Sequence, residues 1–136
     1  MSVIYVAHSK MLQAWGADVG LGKALYKLGL VPEGEDPAQI LAAGHAGVSD
    51  WVLLRAEPAA GLEEDAMYER LARKEKLVDP AYYPRIRGAR GIVKVNLQAV
   101  ENAMRIRLAL ETGQEPRDIK VKPADVARHL VANALK

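Results

Sequence analysis

Residues 25–31, Leu25-Tyr26-Lys27-Leu28-Gly29-Leu30-Val31, decide the fold predicted for this chain. Bulky residues alternate along this stretch, so Tyr26, Leu28 and Leu30 share one face of an extended segment, which is the period of a half-buried strand. A proline follows directly and ends the segment with turn chemistry. A helix over residues 18–30 is the alternative, but its three glycines would each cost about 1 kcal/mol relative to alanine. We therefore predict a strand.

Strands and helices alternate along the rest of the chain. Short β-rich segments predict three further strands, at residues 3–7, 50–56 and 91–95. Capping residues and apolar periodicity predict five helices, at residues 9–17, 37–43, 62–77, 96–112 and 123–135. The predicted N-caps are Ser9, Asp36 and Asn96, and Gly113 is predicted to end the fourth of these helices. Gly16 is predicted to stop the first helix, and Pro58 to mark the end of the third strand. This order predicts one α/β or α+β domain over residues 1–136, with a small mixed β-sheet flanked by helices and a C-terminal helix.

Length and composition restrict the class of protein. The chain has 136 residues and no cysteine, so it has the size of one domain and cannot form disulfides or cysteine-based zinc sites. Its start lacks the basic and apolar regions of a signal peptide, and no apolar run reaches the length of a membrane span. We expect a soluble, cytoplasmic protein without a membrane partner.

Charge is distributed unevenly along the chain. Residues 1–69 carry four basic and ten acidic side chains, whereas residues 70–136 carry fifteen basic and seven acidic ones. Most of the excess lies in residues 70–94, which hold eight basic and two acidic side chains. Such a density favours a phosphate-rich partner, because Lys and Arg displace the counterions of nucleic acid. A solvated helix end followed by a loop is the alternative interpretation.

Aromatic and basic residues cluster within the same segment. The candidate nucleic-acid-binding residues are Tyr82, Tyr83, Arg85, Arg87, Arg90 and Lys94. Arginines in a glycine-containing loop can reach consecutive phosphates while the tyrosines stack on bases. We expect the three arginines to contribute more to binding than basic residues elsewhere. In the alternative, the tyrosines pack under a loop and the arginines meet water.

Two short motifs resemble a known superfamily. Val3-Ile4-Tyr5 followed by Tyr26-Lys27-Leu28-Gly29 resembles the paired motif of the GIY-YIG nucleases, and their divergent phage-associated branch more than the homing endonucleases. Glu69-Arg70-Leu71 resembles the segment that holds the family's metal-binding glutamate, and residues 87–95 resemble the basic turn and final strand that follow it. The resemblance covers about residues 3–110 and leaves about 117–136 as a C-terminal helical extension.

The resemblance implies a domain that binds nucleic acid, with DNA favoured over RNA. Such a domain is either an endonuclease dependent on Mg²⁺ or Mn²⁺ or a catalytically inactive relative. By matching position Glu69 is the metal ligand and Tyr5 the base, while Lys27 stands where active members have a second tyrosine. Tyr26 and Arg55 complete the catalytic candidates, with Arg55 replacing an arginine that helix 37–43 lacks. Tyrosine has an ordinary pKa of about 10, so a base at Tyr5 needs a nearby cation such as Lys27.

Structural roles are the alternative for these residues. Tyr5 and Tyr26 would be core aromatics, and Glu69 would be an exposed helix residue paired with Arg73 at i+4. The three histidines lie far apart in sequence and form no i, i+4 ligand pair, so they predict no metal site.

A non-catalytic interaction or assembly protein is the alternative function. In that case helices 96–112 and 123–135 bury apolar faces against a partner or a second copy of the chain, which would make a homo-oligomer.

Overall fold

A computed structural model describes residues 2–22, 24–32, 34–44, 47–59, 61–78, 82–83, 91–114 and 119–135. Its elements are β1 (Ser2–Ser9), α1 (Lys10–Asp18), β2 (Leu25–Val31), α2 (Pro37–Ala42), β3 (Trp51–Ala59), α3 (Glu64–Lys74), β4 (Lys76–Leu77), β5 (Ile92–Lys94), α4 (Leu97–Thr112) and α5 (Pro123–Leu135). The strands form one sheet in the order β3-β1-β2-β5-β4, and each pairing is antiparallel. The predicted small sheet flanked by helices, with a C-terminal helix, is confirmed. The described strands pair only in antiparallel fashion, whereas a mixed sheet was predicted, and this pairing makes the fold α+β.

β2 lies at the centre of this sheet, between β1 and β5. The strand predicted at residues 25–31 is confirmed, and its register with β1 pairs Tyr5 with Gly29 and Ala7 with Lys27. The ring of Tyr5 covers Gly29, where an added Cβ would lie 2.5 Å from the phenolic oxygen. A residue without a side chain is therefore required at this point of the central strand.

Both faces of the sheet are covered. On one face Ile4 and Leu28 pack against α3 and α5, with Met67 among the buried residues of α3. On the other face Leu12 of α1 and Leu41 of α2 belong to two separate buried clusters. The buried residues of α5 are Val126, Ala127, Leu130, Val131 and Ala134. The helix predicted as a C-terminal extension thus contributes to the largest core cluster.

Local capping signals fix the ends of three helices. Ser9 caps α1, where its hydroxyl accepts a hydrogen bond from the Leu12 N–H at 3.1 Å. Asp36 caps α2 and Asn96 caps α4, each through its side-chain oxygen. Gly113 ends α4 in the left-handed conformation, with φ of 74°. These predicted caps are confirmed because each depends only on neighbouring residues.

The prediction that Gly16 stops the first helix is wrong. The residue is buried inside α1, which continues to Asp18. Its carbonyl oxygen accepts hydrogen bonds from the N–H groups of Leu21 and Gly22, at 2.8 and 3.1 Å. The connection to β2 therefore folds back onto α1, and Gly16 allows that close approach.

Two element ends differ from the predicted ones by three residues. β3 continues through Pro58 to Ala59, because β3 is an edge strand and an edge tolerates a proline that a central strand does not. The helix predicted at 62–77 is shorter and covers Glu64–Lys74. Lys76 and Leu77 leave it to pair with β5 as a two-residue strand. Both errors come from pairing with distant strands.

Candidate functional site: a basic groove at the end of the sheet

An open groove of about 750 Å³ lies at the β4–β5 end of the sheet. The end of α3, the start of α4 and the connection before β2 form its walls. Its basic lining residues are Arg73, Lys74, Lys76 and Lys94. Asn96, the N-cap of α4, also lines the groove, so the positive end of that helix dipole adds to the charge of the side chains.

Lys76 and Lys94 are directly opposite each other in the β4–β5 pair. Like charges in this position disfavour the pairing, since their side chains lie on the same face. No ion pair among the described residues involves Lys74, Lys76 or Lys94, whereas Arg73 pairs with the exposed Glu69 at 3.3 Å. The groove thus holds positive charge that acidic side chains of the described chain do not neutralise.

Glu75 is the acidic residue of the groove lining, and its carboxylate is engaged elsewhere. Only 5 % of its side chain is exposed. Its Oε1 accepts a hydrogen bond from the Asn133 amide at 3.1 Å and lies 3.2 Å from Nε2 of His129, both on α5. The carboxylate therefore contacts α5, and four basic side chains against this one acid leave the groove lining with an excess of positive charge.

The predicted nucleic-acid-binding residues divide into three groups. Lys94 lies in the groove. Tyr82 is 78 % exposed, whereas Tyr83 packs edge-on against Trp15 with the ring centroids 5.6 Å apart. The predicted arginines Arg85, Arg87 and Arg90 lie outside the described residues, so their role stays a prediction.

The structure does not bring the five predicted catalytic residues together. Tyr5 and Lys27 lie on the face of the sheet covered by α1 and α2, as their register with Gly29 and Ala7 requires. Tyr26 belongs to the cluster on the opposite face.

The other two catalytic candidates are engaged in ion pairs. Arg55, opposite Val6, lies on the same face as Tyr26 and pairs with Glu57 at 2.7 Å. Glu69 is 71 % exposed on α3 and pairs with Arg73, as its alternative structural role predicts. Its proposed partner Tyr5 is 4 % exposed.

Burial changes the pKa of Tyr5 and of Tyr26 in the direction that disfavours a role as general base. Loss of hydration, with a smaller contribution from the negative charge of Glu64, raises the pKa of Tyr5 to about 12. Burial also raises the pKa of Tyr26. A tyrosine base needs a lowered pKa, so the shift at Tyr5 is opposite to the one that the predicted role requires. Lys27 does not produce the expected lowering.

Glu64 belongs to this region, although no sequence motif marks it. Its negative charge acts on Tyr5, whereas the sequence predicted the cation Lys27 as the group that sets the pKa of this tyrosine. α3 begins shortly after Ala59, which pairs with Ser2, so the first turn of α3 starts near the first strand. Only the β1–β3 pairing reveals this arrangement, and no local motif encodes it.

No group of three His, Cys, Asp or Glu side chains suited to a metal ion occurs among the described residues. Glu69 as a ligand for Mg²⁺ or Mn²⁺ stays a prediction from the resemblance. Glu75, His129 and Asn133 form a compact polar cluster that sequence spacing did not reveal, because Glu75 is far from α5 in the chain.

No family model matches the chain, and neither a curated protein nor a solved structure matches it. In the part of the chain that the structure describes, no helix has the length and apolar character needed to cross a membrane.

Proposed function

We propose that this protein binds the phosphate backbone of nucleic acid, with DNA as the favoured partner, through the groove between α3, β4, β5 and α4. The main support is that Lys74, Lys76 and Lys94 line one groove and have no ion-pair partners among the described residues. Placing two of these lysines opposite each other is unfavourable unless an anion neutralises them. Phosphates spaced along a nucleic-acid strand supply such anions.

Binding without cleavage is the form of this function that the geometry favours. Hydrolysis with one metal ion needs a base near the metal ligand. Tyr5 is buried with a pKa of about 12, and Glu69 is exposed and paired with Arg73. A GIY-YIG-like nuclease using Mg²⁺ or Mn²⁺ is therefore the less supported proposal.

Replacing Lys74, Lys76 and Lys94 together by glutamine tests the groove. A matched control replaces Lys10, Lys120 and Lys122, three exposed lysines outside the groove lining, and changes the net charge equally. Each lost phosphate contact reduces the slope of log K against log salt by about 0.9 for duplex DNA, so the groove variant should lose up to about 2.7. The control should lose much less.

Fluorescence anisotropy with labelled duplex and single-stranded oligonucleotides at several salt concentrations measures these slopes. Lack of binding by the parent protein overturns the proposed function. Equal losses in the groove and control variants overturn the assignment to the groove. Incubation of plasmid with Mg²⁺ or Mn²⁺, against EDTA, tests cleavage; nicking that depends on Glu69 overturns the non-cleaving form.

Self-association through α4 is a second candidate function, supported by a different observation. Ile106 and Leu110, one helical turn apart on α4, are 63 % and 82 % exposed. The buried residues of α5 face the protein core, so of the two helices predicted for an assembly role α4 presents the more exposed apolar side chains. Sedimentation equilibrium tests this candidate: a monomer at all concentrations excludes it.

A further inference from the structure

A cavity of about 340 Å³ lies between α4 and α5, and it shares no described lining residue with the basic groove. Its apolar lining consists of Val100, Ala103, Met104 and Ala132. One alanine comes from each helix, so short side chains leave space between the two helices. A volume of this size lies at the lower end of the range of about 300–1,000 Å³ that is typical of ligand pockets.

Two arginines line the same cavity, Arg107 from α4 and Arg128 from α5. Neither of them belongs to an ion pair within the part of the chain that the structure describes. Asp125 is the acidic residue of the lining, but its Oδ2 accepts a hydrogen bond from the Lys122 N–H at 3.0 Å. Because Asp125 lies in the first turn of α5, the helix dipole also stabilises its charge. The acid of the cavity therefore has favourable interactions of its own, and the arginines are open to an anion.

His129 adds a hydrogen-bonding group to the lining. Its Nε2 lies 3.2 Å from Glu75 Oε1 and 3.1 Å from Asn133 Nδ2, whereas its Nδ1 forms no hydrogen bond within the described residues. Glu75 would balance a proton on the ring, so His129 adds no net positive charge. The two arginines against Asp125 then leave one positive charge in the cavity, which matches a monoanion better than a phosphate dianion.

We propose that the cavity between α4 and α5 binds a small carboxylate whose remaining atoms are apolar. A guanidinium group binds a carboxylate through two parallel N–H···O bonds, and here each helix contributes one guanidinium. The apolar part of the ligand is removed from water against Val100, Met104 and the two alanines, which favours binding. This site is separate from the groove proposed for nucleic acid and does not depend on that function.

Titration of the full chain with benzoate, followed by ¹H–¹⁵N NMR, tests the site. Benzoate carries a carboxylate on an apolar ring. We expect saturable shift changes in the amides of α4 and α5 around the cavity, with a Kd of about 1 mM for so small a ligand. The absence of saturation, or shift changes centred on Lys76 and Lys94 of the basic groove, would overturn the proposal. Nucleic acid is absent from this experiment, so its outcome is independent of the proposed function.

Three related ligands separate the contributions of charge and apolar contact. Benzamide has the shape of benzoate without its charge, and it should bind about tenfold more weakly because charge-assisted hydrogen bonds are lost. Acetate keeps the charge but loses the ring, so it should also bind more weakly. Phenyl phosphate is mostly a dianion at about pH 7 and should not bind more tightly than benzoate. Affinity for benzamide or acetate equal to that for benzoate, or tighter binding of phenyl phosphate, would contradict the proposed ligand class.

Single substitutions locate the carboxylate. Arg107→Gln and Arg128→Gln should each weaken benzoate binding by about fivefold or more. Arg105→Gln is the matched control, because it removes the same charge from α4 while Arg105 lies outside the cavity lining and pairs with Glu101. Its effect on the affinity should stay within about twofold, since salt screens distant surface charges. A loss in Arg105→Gln equal to that in Arg107→Gln would overturn the assignment to the cavity.

Ala103→Leu fills the cavity without changing its charge. Ala103 is exposed on α4, and leucine is a good helix former, so this variant should fold. Benzoate binding should weaken by about tenfold, because the larger side chain occupies the space of the aromatic ring. A folded Ala103→Leu variant, verified by circular dichroism, that binds benzoate with the affinity of the parent protein would refute binding inside the cavity.

Discussion

Gly29→Ala in the central strand should destabilise the protein through a single neighbour, Tyr5. The added Cβ would lie 2.5 Å from the phenolic oxygen of Tyr5 and 2.6 and 2.7 Å from two of its ring carbons, whereas ordinary contacts are 3.4–4 Å. The ring is 4 % exposed, so it lacks free space into which to move. The strand conformation itself accepts alanine, because Gly29 does not have a positive φ.

The expected cost follows from two opposing effects. Overpacking a buried site by one methyl group costs about 1–3 kcal/mol. Alanine recovers up to about 1 kcal/mol by reducing the conformational freedom of the unfolded chain. The net loss is about 1–2 kcal/mol, which lowers the melting temperature of a chain of this length by about 3–8 °C.

Urea unfolding of a double-mutant cycle measures the coupling between Gly29 and Tyr5. Tyr5→Leu removes the ring atoms that meet the new Cβ, so Gly29→Ala should be close to neutral in that background. Tyr5→Phe is the matched control, because it removes only the hydroxyl and leaves the ring carbon at 2.6 Å. An equal cost of Gly29→Ala in the parent and Tyr5→Leu backgrounds would refute the close contact as its cause.

Two further predictions concern α1. Helix propensity alone favours Gly16→Ala by about 1 kcal/mol, but the added Cβ would contact the Leu25 side chain and lie 2.6 Å from the Gly22 carbonyl oxygen. Thermal unfolding should therefore show a lower melting temperature for this variant. A higher melting temperature would exclude this close approach. Desolvation opposes ionisation of Asp50, yet hydrogen bonds from the Ser9 hydroxyl and the Met11 N–H lower its pKa. The stabilisation is therefore present above the unfolded value of about 3.9 and is lost as pH falls through the folded value, so Asp50→Asn should remove this acid dependence in urea unfolding at pH 2–6.

Elements governed by neighbouring residues were predictable from the sequence. The alternation in residues 25–31 and the caps at Asp36, Asn96 and Gly113 act over a few residues, and the structure confirms them. The end of α3 was not predictable in the same way. Lys76 has helix propensity, but its backbone pairs with Lys94, about eighteen residues away in the chain.

The candidate sites depend even more on distant pairing. Whether Tyr5 and Tyr26 share a face is set by the β1–β2 register, and a shift of one residue would reverse the answer. Alternation within each strand does not fix that register. The basic density of residues 70–94 was visible in the sequence, and pairing of β4 with β5 brings its described members Lys76 and Lys94 together.

The position of Lys94 favours anion binding over protection of the sheet edge. Lysine on an edge strand prevents pairing with other chains, and this role is sufficient to explain Lys76 on β4. β5 is not an edge strand, because Lys94 pairs with Leu25 on one side and Lys76 on the other. A charge at Lys94 adds nothing to edge protection and repels Lys76. The unfavourable energy of this repulsion has to be offset by another interaction. Phosphate bound between the two lysines would supply it.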